Sequence, residues 1–125
     1  MARTPSMFWY DYETFGTDPS RDRISQFAGI RTDEDLNIID EPINILCRAA
    51  DDVLPQPEAC LVTGLTPQQT WDSGLIEAEF IARIHEQFAT HNTFVVCFNN
   101  IRFDDQLTRY TMYRNFFSPY ARGWT

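Results

Sequence analysis

The chain has 125 residues and a formal net charge of -8: room for one modest domain with its own core, and too acidic to coat nucleic acid indiscriminately. No apolar run approaches the roughly 20 residues of a membrane span, and Met1–Ser6 lacks the apolar stretch of a secretory signal. Cys47, Cys60 and Cys97 are widely spaced and form no CxxC pair, so neither a zinc ribbon nor a disulfide framework is indicated; reduced thiols and a cytoplasmic setting are expected.

Residues 7–13, Met-Phe-Trp-Tyr-Asp-Tyr-Glu, read as a first strand, and Gly16, Pro19 and their charged neighbours as a loop over 14–23. A second strand is expected over 24–32, a polar turn over 33–37, and a third strand over 38–47 with Pro42 at a bulge or edge. The short turns imply an antiparallel meander. Pro55 and Pro57 argue for irregular chain over 48–60. Thr66 followed by Pro67 signals the start of a short helix that Gly74 closes. Phe80, Ile81, Ile84 and Phe88 form one apolar stripe and so a second helix. Residues 94–98 read as a short buried strand. A last helix is expected over 102–117, with Phe103, Leu107 and Tyr110 on one face and Pro119 as its stop. The predicted order, β-β-β-α-α-β-α, is that of an α/β fold: a mixed sheet with helices packed on it.

Two stretches carry chemistry. Asp11 and Glu13 are two apart, so in a strand they share one face. Two buried acids side by side repel unless a cation sits between them, and hard oxygen donors suit magnesium or manganese. A solvated strand end is the other reading of the pair. The second stretch, Cys97 to Asp105, lies where a strand gives way to a helix, and puts Asp104 in the first helical turn. It is either an ordinary helix acid or a third carboxylate at the same rim.

Charge and aromatic side chains gather at the C-terminal end. Residues 101–125 hold Arg102, Arg109, Arg114 and Arg122 against Asp104 and Asp105. Tyr110, Tyr113, Phe116, Phe117, Tyr120 and Trp124 interleave with these arginines. Aromatic rings can stack on unpaired bases and arginine can hold phosphate. Tyr110 and Phe117 are assigned to the core; Arg109, Tyr120 and Trp124 are the candidates for single-strand contacts.

Asp11-Tyr12-Glu13-Thr14-Phe15-Gly16, Thr63-Gly64-Leu65-Thr66 and Asn99-Asn100-Ile101-Arg102-Phe103-Asp104 resemble, in order and spacing, the first two motifs and the intervening loop of the DEDD-type 3′-to-5′ exonucleases, most nearly the bacterial exodeoxyribonuclease I family. The resemblance runs from Phe8 onward. It implies a ribonuclease-H-like fold and hydrolysis of single-stranded DNA from its 3′ end, using two magnesium ions, with manganese as a substitute. It further implies that Asp11, Glu13 and Asp104 are catalytic metal ligands, with Asp105 the alternative if the register slips by one. Glu13, Thr14, Phe15 and Gly16 would lie against the terminal nucleotide, with Leu65 packed on its base.

One family feature is missing. After Asp105 there is no Asp, Glu or His, so the third motif, His-x-x-x-x-Asp, is absent from residues 1–125. His85 and His91 are followed five residues on by Thr90 and Val96, and a surface position is expected for both. The expectation is therefore an N-terminal portion of a longer exonuclease, its domain C-terminally incomplete and its activity alone low or nil. A single-strand-binding protein is an expected partner of the remaining part, and a catalytically inactive nucleic-acid-binding remnant is the competing reading.

Overall fold

The computed structural model describes residues 5–97 and 101–119. Four strands and four helices follow in the order β1 (Ser6–Thr14), β2 (Ile24–Thr32), β3 (Ile43–Leu46), α1 (Pro57–Thr63), α2 (Pro67–Ser73), α3 (Glu77–Phe88), β4 (Thr93–Cys97) and α4 (Ile101–Arg114). The strands form one sheet in the order β3-β2-β1-β4. β1 pairs antiparallel with β2, and β2 with β3, as the short turns required. β4 returns parallel to β1, a crossover that needs the intervening helices.

β1 alternates as a strand covered on one face should. Phe8, Tyr10 and Tyr12 are buried; Trp9, Asp11 and Glu13 are half-buried. The buried rings meet Phe27 and Phe88 at centroid separations of 5.0 to 6.1 Å. α3 supplies the other side of this core, with Phe80, Ile81, Ile84 and Phe88 all buried. Each of those side chains stabilises the fold by about 1.5–3 kcal/mol. Arg31 is also buried, where its guanidinium donates to Ser6 Oγ, Thr93 Oγ1 and the Gln87 carbonyl, each at 2.8 Å, and lies over the Phe8 ring.

Three expectations need correction. The third strand is short: Ile38 makes one isolated bridge to Thr32, and regular pairing starts only at Ile43. Pro42 lacks the N–H that a ladder needs, and Asp40 is instead held by Arg31 at 3.4 Å. Pro57 does not forbid a helix but begins one. Its missing N–H falls where a helix has none to satisfy, and Gly64, at φ 76, closes α1 with its N–H on the Cys60 carbonyl. α4 ends at Arg114, before Pro119. Phe116 is left-handed, at φ 66, and Phe117 N–H returns to the Met112 carbonyl at 2.9 Å, a closure that stops a helix without proline.

The buried face of α4 also differs. It is built from Asp104, Leu107, Thr108, Thr111 and Met112. Tyr110 is 44% exposed, not core. Phe117 does pack against the core, with His85 against its ring at 4.7 Å, so this histidine is not a free surface group. α2 matches expectation: Thr66 and Gln69 form a reciprocal capping box ahead of Pro67. All three cysteines are free, and only Cys47 is fully buried.

Candidate active site

β1, β3 and β4 all point the same way, so their C-terminal ends share one rim of the sheet. Asp11 and Glu13 lie at that rim on the face opposite Tyr10 and Tyr12. The pairing of β1 with β4 is described as far as Tyr10 and Cys97, one residue short of Asp11. α4 brings the third acid. Its position is fixed from the core side, where the Tyr12 and Thr108 hydroxyls lie 2.7 Å apart and Thr108 Oγ1 donates to the Asp104 carbonyl. The same strand thus presents the acid pair on one face and anchors the helix carrying Asp104 on the other.

Asp104 senses the other two carboxylates, and Glu13 senses Asp11. Burial raises the Asp104 carboxyl; the Cys97 thiol opposes this by donating to Oδ2 at 2.8 Å, and the charges of Asp11 and Glu13 raise it further, to about 6. Glu13 is also raised, by burial and then by Asp11. Repulsion of this kind is what a divalent cation relieves, and the donors, all hard oxygens, fit magnesium or manganese. Among the described residues, however, no three acidic, His or Cys side chains converge closely enough to hold an ion. Two of the oxygens are engaged by protein donors: Asp104 Oδ2 by Cys97, and Asp11 Oδ1 by the Tyr12 N–H at 3.0 Å. Asp105, the alternative ligand, is turned to Arg109 at 3.0 Å.

The other expected site residues fall in several places. Thr14 bonds to the Gly16 carbonyl at 2.7 Å, closing the turn after β1. Phe15 is buried, and its backbone joins Arg23 on one side and Gln56, the residue before α1, on the other. At Gly16 a Cβ would lie 2.2 Å from Asp22 Cγ. The glycine therefore makes room for a buried carboxylate of this chain, a reason other than the approach of a nucleotide. Leu65 follows α1 and lines a groove of about 480 Å³ shared with Gln26, Leu46, Leu75 and Arg83. Arg109 is held by Asp105 and by the Pro119 carbonyl at 3.2 Å, not extended toward solvent. Tyr120 and Trp124 lie outside the described residues, as do Asn99, Asn100 and Arg122.

Sequence reading missed the Cys97 contact with Asp104. The two are seven residues apart across a strand-to-helix junction, and no spacing rule pairs them. It also missed Glu77, which accepts from Arg23, Arg114 and Asn115. Glu77 lies in the first turn of α3, where an acid is ordinary and nothing local marks its partners.

The exonuclease family model matches residues 8–123. Exodeoxyribonuclease I of Haemophilus influenzae is 55% identical over 124 residues, which are 99% of this chain and 26% of that protein. Among solved structures, exonuclease I from Methylocaldum szegediense superposes with a TM-score of 0.93 at 63% identity, over 96% of this chain and 26% of that one. The zinc-ion-bound form of an E. coli ExoI–ssDNA complex superposes with a TM-score of 0.94 at 50% identity, over 98% of this chain and 26% of that one. The chain thus spans 26% of the length of these relatives. With its mixed four-stranded sheet, its flanking helices and a family match across nearly its whole length, this chain belongs to the exonuclease family.

Proposed function

We propose that this chain is the N-terminal, metal-binding portion of a magnesium-dependent 3′-to-5′ exonuclease that releases 5′-mononucleotides from single-stranded DNA. The observation that carries this reading is that Asp11 and Glu13 lie together at the end of β1 while the Tyr12–Thr108 contact anchors the helix carrying Asp104 to the same strand, whose two acids raise the Asp104 carboxyl. A chain of net charge -8 would not gather three acids there for stability, since each raises the energy of the others. Kinship with a zinc-bound ExoI–ssDNA complex supports both the metal and the substrate. An ExoI/SSB-Ct complex is another structural neighbour, at 50% identity, and a single-strand-binding protein is accordingly proposed as partner of the longer protein.

Asp11, Glu13 and Asp104 would hold the cations. When bound, magnesium lowers the pKa of water and offsets charge on a leaving oxygen. Asp11 and Glu13 sit on a rigid strand at the core of the sheet, so their positions are set before substrate arrives. Glu13 faces the 3′ end of the strand. Asp104 reaches the site from the helix layer, where the Cys97 thiol holds its Oδ2 at 2.8 Å, and it would supply the third carboxylate to a bound cation. The fourth acid and the water-activating histidine of the resemblance are absent from these 125 residues, so the chain alone is proposed to turn DNA over at least about 100-fold more slowly than an intact enzyme.

Two measurements test the reading. Millimolar magnesium or manganese is expected to raise the thermal midpoint of the wild-type chain at pH 8, and not that of Asp11→Asn or Asp104→Asn. An unchanged wild-type midpoint would sink the metal assignment. Release of nucleotides from a labelled single strand by the 125-residue chain, at a rate typical of a complete nuclease and abolished by Asp11→Ala, would overturn the claim that it is catalytically incomplete.

A further inference from the structure

Tyr12 stands between Asp11 and Glu13 in β1 and on the opposite face of the strand. Its ring is buried against Tyr10 and Phe27, at centroid separations of 5.3 and 5.5 Å. Its hydroxyl lies 2.7 Å from the Thr108 hydroxyl, and Thr108 Oγ1 donates to the Asp104 carbonyl at 2.8 Å. Thr108 has one hydroxyl proton, and the Asp104 carbonyl takes it. Tyr12 is therefore the donor of the shorter bond. The bonds run one way, from Tyr12 to Thr108 to Asp104. At the backbone, the Tyr12 N–H donates to Asp11 Oδ1 at 3.0 Å. One residue thus touches Asp11 directly and reaches Asp104 through a single hydroxyl.

Stability alone does not call for these hydroxyls. Tyr12 and Thr108 are both buried, Tyr12 within the hydrophobic core. A buried hydroxyl costs free energy unless it is paired. Phe and Val of the same shapes would fill the space and leave nothing to satisfy. Thr111, by contrast, keeps its bonds within α4: its Oγ1 donates to the Leu107 carbonyl at 2.7 Å and accepts from Arg114 at 3.3 Å. Thr108 differs in having its partner on the sheet. What that partner adds is direction. An O–H···O bond holds its two oxygens to within about 0.3 Å, whereas apolar surfaces can slide.

We propose that Tyr12 and Thr108 are positioning residues for the divalent cation: they fix the first turn of α4 to β1, so that Asp104 is held beside Asp11 and Glu13 before an ion arrives. The proposal rests on the metal reading above and deepens it. Neither hydroxyl would touch the cation. Magnesium demands near-ideal placement of its oxygen ligands, and ligands set in advance bind it without the ordering that a free helix end would require.

The test is Mn2+ binding to the 125-residue chain at pH 8, with the free ion counted by electron paramagnetic resonance and urea unfolding run on the same samples. Tyr12→Phe and Thr108→Val each strip a buried hydroxyl of one bond. Each is expected to lower the urea midpoint and to weaken Mn2+ binding about tenfold. The double variant removes both hydroxyls from the core. Its urea midpoint is expected to return toward that of the wild type, while its Mn2+ affinity stays about tenfold weaker. A merely structural pair would move stability and affinity together. Affinity that recovers with the midpoint in the double variant, or that is unchanged in all three variants, overturns the proposal. If the double variant folds poorly, Tyr12→Phe decides: a tenfold loss with an unchanged circular dichroism spectrum supports the proposal, and an unchanged affinity overturns it. A folded wild-type chain that takes up no Mn2+ overturns the metal reading and this proposal with it.

Discussion

At the scale of single residues, Asp104 shows how a site opposes the fold that carries it. Its carboxyl has an ordinary value of 3.8 and rises to about 6 in the folded chain, through burial and then, against the Cys97 hydrogen bond, the charges of Asp11 and Glu13. Below pH 3.8 the group is protonated folded or unfolded, and it costs nothing. Between 3.8 and 6 the unfolded chain gives up the proton first, so stability falls as pH rises. Above about 6 the full penalty is present. Asp104→Asn is therefore expected to stabilise the chain at pH 8 by on the order of 1–2 kcal/mol, after allowance for solvent screening, and by little at pH 4. Urea unfolding at the two pH values reads this directly; an equal effect at both would mean that the carboxyl is not raised. Asp11→Asn removes one of the repelling charges and is expected to move the Asp104 titration, followed by carboxyl NMR, back toward 3.8. Gly16 offers a simpler case. A Cβ there would meet the buried Asp22 carboxylate at 2.2 Å from Cγ, and Gly16→Ala is expected to destabilise by about 1–3 kcal/mol, visible as a lower urea midpoint.

At the scale of elements, Glu77 ties the start of α3 to the end of α4 and to Arg23 just before β2. Burial alone would raise its carboxyl, but hydrogen bonds from Arg114 and Asn115, and the charges of Arg114 and Arg23, hold it below the ordinary value of 4.5. The sign is opposite to that of Asp104. The contribution is complete above pH 4.5 and is lost as pH falls through the lowered folded value. Glu77→Gln keeps the shape but weakens three charged contacts, and is expected to cost about 1–3 kcal/mol at pH 7 and less at pH 3. A loss of equal size at pH 3 would assign the effect to packing. Elements of this chain were legible where local pattern and burial agree. The period-2 alternation of Phe8, Tyr10 and Tyr12 and the stripe of Phe80, Ile81, Ile84 and Phe88 are set by the core they line. α1 was illegible because it buries no residue, with Leu61 and Val62 exposed, so no periodicity marked it and two prolines pointed the other way. The end of α4 was misjudged because a left-handed Phe116 closes it, a conformation that sequence assigns to glycine or asparagine.

At the scale of the whole molecule, the sheet is covered unequally. α3 and α4 pack on the face of Phe8, Tyr10 and Tyr12. The face of Asp11 leaves Ile30 37% and Phe94 53% exposed, beside a shallow apolar hollow of about 230 Å³ lined by Trp9 and Val96. The acid pair and its likeness to a known family were readable in sequence; this imbalance was not, because Met7-Phe8-Trp9-Tyr10 is an unbroken apolar run of the kind that strands covered on both faces carry. Two effects compete on the open face. Apolar area favours contact between copies of the chain, and a net charge of -8 opposes it. Salt decides between them, since it screens the charge and leaves the apolar attraction intact. The 125-residue chain is therefore expected to stay largely monomeric in about 50 mM NaCl and to self-associate weakly in about 500 mM, where the Debye length is less than half as long. Ile30→Glu combined with Phe94→Glu is expected to keep the chain monomeric at both, with an unchanged circular dichroism spectrum, because both side chains already contact water. Sedimentation velocity over a concentration series distinguishes the outcomes. Association that weakens with salt, or that persists in the double variant, would place the contact on the charged rim rather than on the open face.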